Sequence, residues 1–186
     1  MSFTIVPERP QDAALINPLL DRTFGFERTR KTVYRLREFL DPLPELSFSA
    51  IDDDGSFLGS IRYWPIRIAA TPAILLGPLA VEPALQGRGI GKTLVRHSLD
   101  AAQKSGHTIC VVVGDPNYYR PFGFVPASFH GLSLPGPVEP ERFQVKALVP
   151  DALDGVHGVI ARGEAPARSP DVAKPTRRRR VRRSVA

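Results

Sequence analysis

An α/β domain on a mixed, strongly twisted sheet with helices on both faces is the fold the sequence predicts, and three observations predict it. Residues 73–81, AILLGPLAV, and 108–113, TICVVV, are almost wholly apolar, as strands covered on both faces must be. Between them lie a glycine-rich loop, LQGRGIGKT at 85–93, and a helix-like stretch. A strand–loop–helix–strand unit of this kind is a right-handed parallel crossover. Ahead of it, ELSFSAIDDD and GSFLGSIRYWPIRIA alternate around Asp53-Asp54-Gly55, the signature of an antiparallel hairpin. Parallel and antiparallel pairs in one short chain define a mixed sheet.

Taken in order, FTIVPE (3–8) reads as an opening strand. Residues 11–40 are helix-like, with Ala14, Ile16, Leu19, Leu20, Val33, Leu36, Phe39 and Leu40 at three- and four-residue steps, and Asp41-Pro42-Leu43-Pro44 stops the helix. Gly77-Pro78 interrupts the first buried strand, and proline cannot donate a ladder hydrogen bond, so a bulge or a splaying of strands is expected there. Residues 90–104 predict a helix with Leu94, Val95, Leu99 and Ala102 facing inward and Gly106 ending it. Residues 116–122 predict a short helix and 142–149 a late strand. Beyond Arg162 the chain turns to Gly, Pro, Ala, Ser and Arg without apolar periodicity, which divides it into a domain at 1–162 and a disordered, Arg-rich tail at 163–186.

Length and composition bound the function. The 186 residues suffice for one domain with a self-sufficient core. A single cysteine excludes an intrachain disulfide and a cysteine-based zinc site, and fits a reducing compartment. No charged-then-apolar leader and no run of 18 apolar residues is visible, so a cytoplasmic protein without a membrane span is expected. The net charge of +6 lies entirely in residues 163–186, which carry eight basic and two acidic side chains; residues 1–162 carry 17 of each. Nucleic-acid binding therefore does not follow from the overall charge. His97, His107, His130 and His157 share no metal-ligand spacing, and no metal is expected. Cys110, among valines, reads as an inert core thiol.

The glycine loop carries the chemistry. A triphosphate loop needs glycine where Gln86 stands, and a dinucleotide loop needs it at Lys92 or Leu94. Both readings fail. A different pattern fits: Gln/Arg-x-x-Gly-x-Gly/Ala, here Gln86-Gly87-Arg88-Gly89-Ile90-Gly91, between a buried strand and a helix. Unsatisfied N–H groups at a helix start, carrying about half a positive charge, suit an anion, and glycines let a diphosphate approach the backbone. A second match follows about 30 residues on, in NYYRPFGF (117–124) entered through VVVGDP.

In these two motifs the sequence resembles the GNAT N-acetyltransferases, and within them the YhbS-like branch, over roughly residues 3–162. The resemblance implies the acyl-CoA N-acyltransferase fold, a twisted mixed sheet with splayed parallel strands, and acetyl-CoA as cosubstrate. It implies that the backbone of Leu79, Ala80 and Val81 meets the pantetheine arm, and that N–H groups near Val81 polarise the thioester. Gln86, Gly87, Arg88, Gly89, Ile90 and Gly91 would cradle the pyrophosphate, with charge added by Arg88 or Lys92. Asn117 would bond the pantetheine amide or cap a helix. Tyr119 matches the tyrosine that protonates the departing CoA thiolate, while Tyr118 is expected to face elsewhere and pack.

The amine side is less furnished. A lysine-like amine is neutral in only about one molecule per thousand at pH 7, worth about 4–5 kcal/mol, yet the strand before the loop holds no carboxylate and Glu82 lies too near the loop. No base is assigned. Tyr63 and Trp64 either line an acceptor pocket or pack. The expected activity is acetyl transfer from acetyl-CoA to a primary amine of a small molecule or peptide, by direct attack. The alternative is a non-catalytic acetyl-CoA sensor, or an adaptor whose Arg177–Arg183 run makes weak nucleic-acid contacts. Monomer and homodimer both remain open.

Overall fold

The computed structural model describes residues 2–164. The expected Arg-rich tail and its nucleic-acid contacts lie, from residue 165 on, outside the described residues.

β1 (Phe3–Pro7) opens the chain and pairs antiparallel with β2 (Phe48–Asp52), which pairs with β3 (Phe57–Ile68) across the expected hairpin. Asp52 shapes that turn by accepting the N–H groups of Asp54 and Ser56 through Oδ1 at 3.1 and 2.8 Å. β3 pairs antiparallel with β4 (Thr71–Val81), and β4 pairs parallel with β5 (Ile109–Val113), so the sheet is mixed as expected. β8 (Phe143–Ala147) continues it beside β5, followed by the two-residue β6 (Val125–Pro126). Three strands escaped the sequence reading, the short β6 among them. β7 (Leu132–Ser133) pairs with β9 (Gly158–Arg162), which lies antiparallel along the far end of β3.

The long early helix is not continuous. α1 (Ala13–Phe24) ends at Gly25, whose φ of 75° suits glycine and whose N–H returns to Asp21 at 3.0 Å. A short 3-10 segment and the single-turn α2 (Thr32–Arg35) follow. Phe39, expected on the inner face, has φ 62° and is 95% exposed. α3 (Ile90–Lys104) matches its expected span, and α4 (Pro116–Tyr119) forms one turn before Gly123 reverses the chain.

Alternation along the sheet decides which helix covers which face. Ile74, Leu76, Cys110 and Val112 point to α3 and pack with Leu94, Val95, Leu99 and Ala102. Ala73, Leu75, Ile109 and Val111 point the other way, to Val33 and Leu36. α1 seats Ile16, Leu19 and Leu20 against Ala80. Helices therefore cover both faces. Cys110 lies fully buried in this core, where burial pushes its thiol up, so it stays protonated and inert.

The interruption at Gly77-Pro78 does both things the sequence allowed. From Ile61 to Tyr63 β3 advances two residues while β4, from Leu76 to Leu79, advances three, so β4 carries one extra residue. The ladder to β5 stops at the pair Leu76–Val112. Past that point β4 remains tied to β3 through Leu79, Ala80 and Val81, while its other edge faces an opening.

Candidate active site

The parting of β4 from β5 opens a cleft of about 1340 Å³ running from the start of α3 to the chain between α1 and α2. An ordinary small-molecule site occupies roughly 300–1,000 Å³, so this one has room for a long ligand and a second substrate.

At one end stands the glycine loop. Gly87 and Gly89 have φ of 79° and 87°, and space is open where a Cβ would sit on either. Gly89 heads α3 with no side-chain cap, and the first intrahelical bond is that of the Thr93 N–H to Gly89 O at 3.0 Å. The N–H groups of Ile90, Gly91 and Lys92 thus lack intrahelical acceptors. Gln86 donates through Nε2 to Val81 O at 3.4 Å and ties the loop to the end of β4. Gln86, Gly87, Gly89, Ile90, Gly91 and Lys92 all border the cleft; the exposed Arg88 does not. An open glycine cradle with uncapped N–H groups fits a diphosphate.

The middle wall is β4. Leu79 and Val81 border the cleft, while the Ala80 side chain turns away onto α1. Opposite, Asp115 caps α4 by accepting the Asn117 N–H at 2.9 Å. The cap is therefore Asp115, and the exposed Asn117 side chain does not border the cleft.

Tyr119 reaches the cleft from α4, 7% exposed, its ring against Gly114 and edge-on to Phe124 at 5.6 Å between centroids. Burial first, and the neighbouring Tyr118 second, push its phenol well above the usual value. Tyr118 does not face elsewhere. It also borders the cleft, edge-on to Tyr119 at 5.0 Å, and its hydroxyl lies over Gly91, where a Cβ would come within 2.6 Å. Only glycine at position 91 admits this contact without displacing the tyrosine.

The far end is cationic. Arg28, Arg30, Lys31 and Arg37 border it together with Arg142, against the carboxylates Asp115 and Glu139. Arg37 stands over the rings of Tyr34 and Trp64 at 4.7 and 5.0 Å, and burial lowers its pKa to about 10. Trp64 donates its indole N–H to Leu40 O at 3.0 Å. Tyr63 is core, fully buried and bonded to Ser98 at 2.8 Å. Glu82 is engaged by Arg22 at 2.5 Å and lies off the cleft. No group of three or more His, Cys, Asp or Glu is placed to hold a metal ion among the described residues.

Sequence reasoning missed Arg37, Arg142 and the position of Tyr118. No local pattern marks Arg37 as an arginine that meets Trp64 only in the folded chain.

A splayed mixed sheet with a glycine cradle at the crossover helix defines an acyltransferase frame. The sequence model of the Acetyltransferase (GNAT) family matches residues 14–124. The chain belongs to that family and is an acyltransferase. It is similar to the uncharacterized N-acetyltransferase YhbS of Escherichia coli (strain K12), 36% identical over 155 residues that cover 82% of this chain and 92% of the relative. The crystal structure of E. coli YhbS in complex with CoA superposes with a TM-score of 0.73 at 33% identity, covering 86% of this chain and 89% of that one. A GNAT family acetyltransferase of Brucella melitensis in complex with acetyl-CoA gives 0.62 at 32% identity, covering 86% and 95%.

Proposed function

We propose that this acetyltransferase passes the acetyl group of acetyl-CoA directly to a primary amine of a small molecule or peptide, with both substrates in the cleft together. The observation that carries the reading is the continuous path from the uncapped start of α3, along the free edge of β4, to the buried Tyr119. The CoA and acetyl-CoA held by the two similar structures support it.

In this reading the first-turn N–H groups of α3 and the backbone of Gln86 to Gly91 hold the pyrophosphate, with Lys92 adding charge. The pantetheine lies along Leu79, Ala80 and Val81 as an added strand would, since that edge has no strand partner beyond Leu76. Acetyl-CoA supplies an activated thioester. Held in place, it is attacked by the amine without an enzyme-bound acyl intermediate, and positioning lowers the barrier. The C–S bond breaks, the thiolate takes its proton from the Tyr119 hydroxyl, the amine's surplus proton leaves to solvent, and the Tyr119 phenolate regains a proton from solvent before the next turnover. The raised pKa of Tyr119 keeps that proton in place across the neutral range. The side chains of Arg88 and Asn117 are exposed and do not border the cleft, so neither side chain is given a part in binding.

Thiol release from acetyl-CoA over a panel of amines tests this reading. Tyr119→Phe is expected to slow turnover roughly a hundredfold with CoA affinity nearly unchanged. Acetyl-CoA binding without thiol release for any amine would turn the reading toward a sensor.

A further inference from the structure

Among the described arginines of the cleft, Arg37 is set apart by a buried Nε that has no hydrogen-bond partner. Arg28 bonds Asp21 at 3.0 Å and Arg30 bonds Glu27 at 2.5 Å. No carboxylate pairs with Arg37 among the described residues, and its Nε is buried without a hydrogen-bond partner. A guanidinium cannot shed its proton near neutrality, and burying one unpaired is unfavourable unless a counter-charge arrives. Stacking over Tyr34 and Trp64 offsets part of that penalty and holds the group in one orientation.

Its position is informative. Nη2 lies 3.3 Å from where a Gly77 Cβ would be, at the point where β4 leaves β5. The glycine cradle lies beyond the other end of the free edge, after Val81. Lys31 and Arg142 border the cleft too, with no carboxylate partner among the described residues. With Asp115 and Glu139 on the same end the rim still keeps a cationic excess, which favours an amine that brings its own negative charge over a bare ammonium.

We infer that Arg37 is the binding site for a carboxylate borne by the acceptor, so that the protein acetylates amines that also carry a carboxylate. This rests on the acetyltransferase reading above. A planar carboxylate in the cleft can meet the Nη side of the guanidinium and supplies the missing counter-charge, while the buried Nε stays out of its reach. Arg37 is thus a residue of acceptor specificity, acting on the part of the substrate that does not react.

The test uses CoA-saturated protein and matched pairs of product analogues, each an N-acetyl amino acid and its carboxamide, with binding measured by calorimetry. The carboxylate member is expected to bind at least about tenfold tighter. Arg37→Met should bring the two members to parity, and Arg37→Lys should retain part of the preference, both with unchanged CoA affinity and an intact thermal transition. Equal binding by the wild type, binding of neither member, or a preference that survives Arg37→Met overturns the inference. So does a loss of CoA affinity in Arg37→Met as large as the loss for the carboxylate, which would assign Arg37 to the cosubstrate. Turnover separates this inference from the reading beneath it. If pairs are discriminated but no amine is acetylated, the reading fails and the site stands; if amines lacking a carboxylate are acetylated as fast, the site fails and the reading stands.

Discussion

At the scale of single residues, Tyr119 is set by its surroundings more than by its position in a motif. A phenol packed against Gly114, Phe124 and Tyr118 keeps its proton, because ionising it there leaves a charge out of water. The same burial makes it a stability group at alkaline pH. Its folded pKa lies above the free value near 10, so the stability it contributes is complete below pH 10. That share is lost as pH climbs through the raised value, because the unfolded phenol ionises first. Thermal transitions of wild type and Tyr119→Phe at pH 8 and pH 11 are the measure, and the variant is expected to lose less of its stability between the two. A difference that stays the same at both values would mean that Tyr119 titrates freely in the folded chain.

At the scale of elements, the unit that matters is β4, the glycine loop and α3, with one short turn at Pro83–Leu85 between strand and loop. Gly89 heads α3 in a left-handed conformation, which costs about 1–2 kcal/mol for a residue with a Cβ. Gly89→Ala is therefore expected to lower stability by about that amount and to weaken CoA binding, because the added methyl occupies the open cradle; titration with CoA and a thermal melt read the two effects. This unit was legible in the sequence because glycine spacing, a buried run on each side and an amphipathic helix leave few alternatives. The early helices were not legible in the same way. The apolar steps of 11–40 continue across Gly25, yet the chain bends there, and Phe39 faces solvent although its spacing pointed inward. β9 escaped because a five-residue strand, three of whose residues pair with the end of a strand some 90 positions earlier, has no local signature. Arg37 shows the same limit in the candidate site, since its two rings come from a neighbouring turn and from β3.

At the scale of the molecule, the cleft is a seam between parts rather than a dent in one. It is bordered by α1, α2, β4, β5, α3 and α4, so a ligand lying along it touches most of the layers. CoA should then hold the whole fold. At a hundredfold excess over its Kd the added stability is about 2.7 kcal/mol, which for a domain of this size raises Tm by about 5–10 °C. Scanning calorimetry with and without CoA checks this, and an unmoved transition would remove the basis of the functional reading. The seam itself traces to the one surplus residue of β4 near Gly77-Pro78. A chain one residue shorter there would keep strict alternation against β3 and make a more regular sheet, with the edge of β4 at Leu79 to Val81 no longer re-aimed toward the cleft. The activity of this protein occupies a counting error in its own ladder, and a designer who idealised that strand would improve the scaffold and erase the enzyme.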